Sequence, residues 1–260
     1  MKFIHLTDTH VIGEDLLYGQ APAERLATAV RSINSEHGDA EFVVLTGDMT
    51  HWGDAAAYGR FACEIRKLEM LVHPMVGNHD DTDAFAEAFP QTPRDAHGFV
   101  QTGFDTKHGR FLLLDTKAAD THARAYCAVR RDWLREELER SDVPILLFMH
   151  HSPFETGIAS MDRIMLQDVE AFCDVISPHK ARIRHLFFGH VHRAIFGNWR
   201  GISYSCMRGL NHQVALDLSG TPNRITENFE PPAYGVVLLD HDQITVHLND
   251  FTNSSQHFDL

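Results

Sequence analysis

The chain has 260 residues, 43% of them apolar and 23% charged, which is ordinary globular usage and excludes a disordered, fibrous or low-complexity protein. Its 23 Lys and Arg stand against 36 Asp and Glu, a formal charge of −13. Such a surface repels a nucleic-acid polymer and lacks the basic patch that holds proteins on anionic lipid. No run approaches the roughly 18 apolar residues of a membrane span, and Met1–Asp8 meets a charge too early for a secretory leader. Cys63, Cys127, Cys173 and Cys206 form no C-x-x-C pair and read as buried thiols in a reducing compartment, so a cytoplasmic protein is expected. There are 19 histidines, close to the Lys and Arg total. Histidine is the commonest metal ligand, so their placement matters.

In chain order, residues 2–7 read as a strand, 21–37 as a helix with Leu26, Val30 and Ile33 on one face, and 42–46 as a strand. Residues 55–68 read as a helix, and 70–76 as a strand that Pro74 consigns to an edge or an irregular place. This alternation predicts an α/β domain with parallel pairing. Residues 98–104 and 110–115 read as strands joined by a turn at Lys107-His108-Gly109. Residues 130–140 read as a helix with Trp133, Leu134 and Leu138 on one face, and its Arg130 and Arg131 as solvated. Strands are expected at 144–149 and 183–188, with a helix at 164–176 between them. After residue 190 the pattern predicts only strands, at 201–206, 213–218, 233–239 and 243–248. One two-sheet domain with flanking helices over residues 1–260 is the economical reading.

Five of these apolar runs end in metal-competent residues. They are Asp8-Thr9-His10, Gly47-Asp48, Gly77-Asn78-His79-Asp80, His150-His151 and Gly189-His190-Val191-His192. Sites in open α/β sheets form beyond the carboxyl ends of strands, so five such ends are expected to converge. Carboxylate, imidazole and amide oxygen suit divalent cations such as Mn, Fe or Zn. The period of two in an extended chain puts Asp8 with His10, and His190 with His192, on common sides. A two-oxygen carboxylate such as Asp48 can bridge two ions, and Gly47, Gly77 and Gly189 let the chain turn before each ligand.

The ordered set Asp8-x-His10, Gly47-Asp48, Gly77-Asn78-His79-Asp80, His150 and Gly189-His190-x-His192 resembles the calcineurin-like metallophosphoesterase superfamily. Within it the chain looks most like the class III cyclic nucleotide phosphodiesterases and the bacterial glycerophosphodiesterases. The resemblance implies a four-layer α/β/β/α sandwich of two mixed sheets and two divalent metal ions (Mn, Fe, Zn or Co). It implies that Asp8, His10, Asp48 and His192 hold the first ion, and that Asp48, Asn78, His150 and His190 hold the second. His79 is then catalytic, near the leaving oxygen, and Asp80 orients its ring. The implied activity is hydrolysis of small phosphodiesters, cyclic nucleotides or glycerophosphodiesters, by in-line attack of a metal-bridging hydroxide. A phosphomonoesterase or nucleotide pyrophosphatase of the same fold is the alternative, and a catalytically silent metal-binding scaffold the second.

Tyr18 is expected at the substrate entrance, and His212 near the substrate by likeness to the glycerophosphodiesterases. His51 reads as a loop histidine, and His151 as pointing away from the site. His5, His37, His73, His97, His108, His122, His179, His185, His241, His247 and His257 receive no role. The strand-rich end after residue 195 offers an edge for a homodimer or higher homo-oligomer.

Overall fold

The computed structural model of the chain describes residues 1–118, 125–221 and 223–255; His122 and His257 lie outside the described residues. The opening alternation gives β1 (Lys2–Leu6), α1 (Pro22–His37), β2 (Phe42–Leu45), α2 (Ala55–Ile65) and β3 (Leu71–Pro74), with β1, β2 and β3 pairing in parallel. Pro74 lies in β3 at the sheet edge, where a residue without an N–H is tolerated. Next come α3 (Thr82–Ala88), β4 (Thr102–Thr106), β5 (Gly109–Leu114), α4 (Ala128–Glu139), β6 (Ile145–Met149), α5 (Ala159–Asp162), α6 (Val169–Ile176) and β7 (Ile183–Phe188). The strand-rich end holds β8 (Ile195–Trp199), β9 (Ile202–Cys206), β10 (Gln213–Val214), β11 (Glu227–Asn228), β12 (Tyr234–Leu239) and β13 (Ile244–Asn249).

Three layers of apolar contact make the sandwich. One large sheet runs β13-β12-β1-β2-β3 and the other β4-β5-β6-β7-β9-β8, while β10 and β11 pair separately as an antiparallel ribbon. Alternation along each strand sends its residues to opposite faces. Ile4, Leu6, Val43 and Leu45 pack on Leu26, Val30 and Ile33 of α1 and Tyr58 and Phe61 of α2. Leu112, Leu114, Leu147 and Phe188 pack on Leu134 and Leu138 of α4 and Phe172 of α6. Between the sheets Phe3, Phe42, Phe111, Phe148 and Phe187 meet in stacked and edge-on pairs. Five of the 17 phenylalanines thus form the seam that fixes one sheet against the other.

Several expectations are corrected. The helix expected over 164–176 begins only at Val169, because Asp168 takes φ 54 and interrupts it. The backbone before it is diverted: Leu166 N–H donates to Ser152, and the Ile164 carbonyl accepts from His190. The strand expected over 213–218 stops at Val214, and Leu216 and Leu218 are exposed. Arg130 is buried, not solvated; it donates to the carbonyls of Asp115 (2.7 Å) and Lys117 (2.6 Å) and lies over Phe99. Cys173 and Cys206 are buried, but Cys63 is exposed and Cys127 half-buried. Among the described residues no helix is long and apolar enough to cross a membrane.

Candidate metal centre

The loops after β1, β2, β3, β6 and β7 meet where the two sheets come together. Backbone bonds stitch neighbouring loops: Asp8 N–H to Gly47 (3.1 Å), His10 N–H to Asp48 (3.0 Å) and Gly189 N–H to His150 (3.1 Å). The seam between sheets is closed by His190 N–H on the Asp8 carboxylate (3.0 Å) and by His150 Nδ1 on the Thr46 carbonyl (2.7 Å).

These loops are not extended continuations of their strands. Asp8, His10, Asp48, His190 and His192 all adopt positive φ, between 46 and 66°. The left-handed region costs an L-residue roughly 1–2 kcal/mol each time. The side chains therefore converge because the backbone folds back on itself, and the strand-period reasoning for Asp8 with His10 and His190 with His192 does not apply. The glycines divide similarly. Gly47 has φ 93 and needs glycine for its turn. Gly77 and Gly189 need it for space, since a Cβ would strike Asp48 at the first and Thr7 at the second.

Donor atoms of Asp8, His10, Asp48 and His192 lie within 4.8 Å of one another, as do those of His150, His151 and His190. Asp48 Oδ2 stands between the two groups, 3.7 Å from His10 Nε2 and 3.3 Å from His150 Nε2. Asn78 Oδ1 lies 3.1 Å from His150 Nε2. On the first side His192 Nε2 is 3.0 Å from His10 Nε2 and 3.3 Å from Asp8 Oδ1.

Backbone carbonyls set the tautomers. A carbonyl only accepts, so the ring nitrogen facing it carries a proton, and in the neutral ring the other nitrogen has the lone pair. Thr46 O fixes His150 through Nδ1, His212 O fixes His192 through Nδ1 (2.8 Å), and Ile164 O fixes His190 through Nε2 (3.1 Å). The ring nitrogens left over on His192 and His150 face the donor groups. Two imidazole nitrogens 3.0 Å apart beside a carboxylate are complementary to a cation, so this donor set fits divalent ions.

Electrostatics agree. Burial alone would raise Asp48, but the adjoining His150 and His79 hold it well below the usual carboxylate range. Burial alone would lower His150, but the Asp48 charge raises it to about 9. Burial lowers His190 to about 3 and His10 well below its ordinary value.

The remaining residues need corrections. Asp80 does not orient His79. Its buried carboxylate accepts from Gly77 N, Met49 N, Thr50 N, Thr50 Oγ1 and Tyr58 OH at 2.9–3.3 Å, bracing the β2 and β3 loops together. His79 Nδ1 bonds instead to the His51 carbonyl (2.9 Å). His51 is no stray loop residue; it is buried, its ring stacks on His79, and its Nδ1 lies 3.0 Å from His10 Nδ1. His151 points into the centre, its Nε2 3.1 Å from Asn78 Oδ1 and its Nδ1 2.8 Å from Thr116 Oγ1. Asp48-x-x-His51 and His150-His151 were the visible signals for these two. Tyr18 is half-exposed at the rim, with its hydroxyl 3.4 Å from His51 Nε2. His212 is buried with its ring against His10, His192 and Tyr18.

A four-layer α/β/β/α sandwich with carboxylates and imidazoles gathered at its strand ends is the architecture of a metallohydrolase. Residues 1–194 match the calcineurin-like phosphoesterase family, and the chain belongs to it. It is 44% identical to a probable cyclic nucleotide phosphodiesterase from Rhodopseudomonas palustris, over 100% of this chain and 96% of that protein. It is 27% identical to a probable glycerophosphodiester phosphodiesterase from Arcobacter nitrofigilis, over 84% of this chain and 81% of the relative. Among solved structures, a dimetal phosphatase from Danio rerio superposes with a TM-score of 0.72 at 15% identity, covering 97% of this chain and 96% of the other. That last likeness bears on the fold alone.

Proposed function

We propose that this chain is a phosphodiesterase for small diesters that works with two divalent cations. Asp8, His10, Asp48 and His192 would hold one ion, and Asp48, Asn78, His150 and His190 the other. The observation that carries this reading is Asp48 Oδ2, placed within 3.7 Å of a ring nitrogen in each donor group. Ions bound there would supply Lewis acidity and lower the pKa of a coordinated water. The protein's own part is orientation and proton handling. His79 is half-buried, and its Nδ1 donates to the His51 carbonyl. A second proton on that ring must sit on Nε2, where it can be shared with a phosphoryl oxygen or passed to the leaving oxygen. Tyr18, at the rim, and His212, on the inner wall of the first group, would contact the ester substituents. The charge of −13 argues for small diesters over polymers, whose binding rests on neutralised phosphates. The named activities of the two sequence relatives, on cyclic nucleotides and on glycerophosphodiesters, supply the candidate substrates.

The test is a comparison of bis(p-nitrophenyl) phosphate with p-nitrophenyl phosphate on protein loaded with Mn, Zn or Co, followed by 3′,5′- and 2′,3′-cyclic nucleotides and glycerophosphodiesters. Faster diester turnover is expected. Faster monoester turnover would replace the reading with a phosphomonoesterase, and silence on every substrate with every metal would leave a scaffold.

A further inference from the structure

Behind the centre, between the sheets, buried side chains run in single file from His5 to Asp8. His5 Nε2 lies 2.9 Å from Thr46 Oγ1, which lies 2.9 Å from Thr7 Oγ1, which lies 2.7 Å from Asp8 Oδ2. All four residues are 0% exposed. The direction of the file is forced from the Asp8 end. A carboxylate only accepts, so the Thr7 hydroxyl gives its one proton to Asp8 and must accept from Thr46. Thr46 gives its proton to Thr7 and must accept from His5. His5 then carries its proton on Nε2 and is left with a bare acceptor at Nδ1. His5 Nδ1 is buried with no hydrogen-bond partner among the described residues, so the file leaves it an orphaned acceptor rather than an orphaned N–H. Buried unsatisfied polar atoms are uncommon, and this one marks a histidine held in the interior by its Nε2 bond alone. Gly189 roofs the same place, and a Cβ there would collide with the Thr7 hydroxyl.

The file ends on one oxygen of a proposed ligand. Asp8 Oδ2 receives Thr7 and the His190 N–H (3.0 Å), and Oδ1 faces His192 Nε2 at 3.3 Å. We propose that His5, acting through Thr46 and Thr7, is a positioning residue that locks the Asp8 carboxylate and sets cation affinity on the Asp8 side of the centre alone. This rests on the two-cation reading above. Partners that orient a ligating carboxylate commonly change metal affinity by about 10–100-fold when lost.

The test is calorimetric titration of the metal-free 260-residue chain with Mn²⁺, for wild type, Thr7→Val, His5→Phe and His5→Gln. Thr7→Val keeps the shape and removes the last donor. His5→Phe keeps a ring against Phe148 and Phe187 and removes the first donor. His5→Gln returns an amide donor. Thr7→Val and His5→Phe should weaken one of two binding steps by about 10-fold or more and leave the other unchanged, with His5→Gln recovering part of the loss. The metal-free Tm of His5→Phe should change little, because the Thr46 oxygen that loses its donor is offset by removal of the orphaned His5 Nδ1. Unchanged isotherms in both variants, or both steps weakened together with a lower metal-free Tm, would overturn the proposal. A wild type that takes up no Mn²⁺ would overturn the two-cation reading and this proposal with it; wild-type uptake with unaltered variants overturns this proposal alone.

Discussion

Replacing Asp80 by asparagine separates the brace beneath the centre from the centre itself. Both Asp80 oxygens only accept: Oδ1 takes Thr50 N (3.1 Å), Thr50 Oγ1 (3.3 Å) and Tyr58 OH (3.0 Å), and Oδ2 takes Met49 N (3.2 Å) and Gly77 N (2.9 Å). An asparagine offers one oxygen and one NH₂. The NH₂ does least harm on the Oδ1 side, where the Thr50 and Tyr58 hydroxyls can turn to accept, and Thr50 N–H alone loses its acceptor. One orphaned buried donor costs about 1–3 kcal/mol. For a chain of this size that lowers Tm by about 2–12 °C. The opposite flip orphans two backbone donors and is worse. Burial and then the Asp48 charge raise the Asp80 carboxyl to about 6, so losing its charge relieves some repulsion and offsets part of the cost. The β2 and β3 loops carry Asp48 and Asn78, so metal affinity should fall by about 10-fold or more as well. Differential scanning calorimetry of the metal-free protein, with a metal titration on the same sample, measures both. An Asp80→Asn protein with wild-type Tm and wild-type affinity would refute the bracing role.

Other outcomes follow from the same geometry. His79→Ala should keep its full metal content and lose about 10²–10⁴ in kcat on a diester with a poor leaving group, the span for general acid–base catalysis; full activity would remove His79 from proton handling. Gly77→Ala puts a methyl group against the Asp48 carboxylate, so a stability loss of about 1–3 kcal/mol should accompany a sharp fall in bound metal, read by thermal melt and elemental analysis. In the metal-free centre Asp48 holds His150 up to about 9, so a cation must displace that proton. Metal affinity should therefore rise with pH up to about 9, and binding should release a proton detectable as a buffer-dependent enthalpy; a flat profile between pH 6 and 9 would contradict the His150 assignment.

The alternation of strand and helix to residue 76 was legible because its periods are clean, and Pro74 correctly marked an edge strand. So was the gathering of Asp8, His10, Asp48, Asn78, His150, His190 and His192, since each follows an apolar run. The cause of their convergence was not legible. Positive φ at Asp8, His10, Asp48, His190 and His192 goes with hydrogen bonds between distant loops, and neither propensity nor spacing reports those. The same holds for the orientations of Asp80, His51 and His151, which depend on donors and acceptors supplied by other strands: Thr50 and Tyr58 for the first, His10 for the second, Asn78 and Thr116 for the third. β8 was missed because Gly197 and Asn198 weaken its pattern and pairing with β9 supplies the missing support. Helix α3 was missed because it is short; its N-terminus is held by the Asp81 side chain accepting from Asp83 and Ala84.

The proposed centre depends on Asp48 serving two cations at once. Elemental analysis of wild type and Asp48→Ala, each reconstituted with excess Mn²⁺ and desalted in parallel, addresses this directly. Close to two equivalents per chain in the wild type, and fewer than about one in the variant because both ions lose a ligand, is the predicted result. A wild type that retains no metal, or an Asp48→Ala protein that retains as much as the wild type, would contradict it.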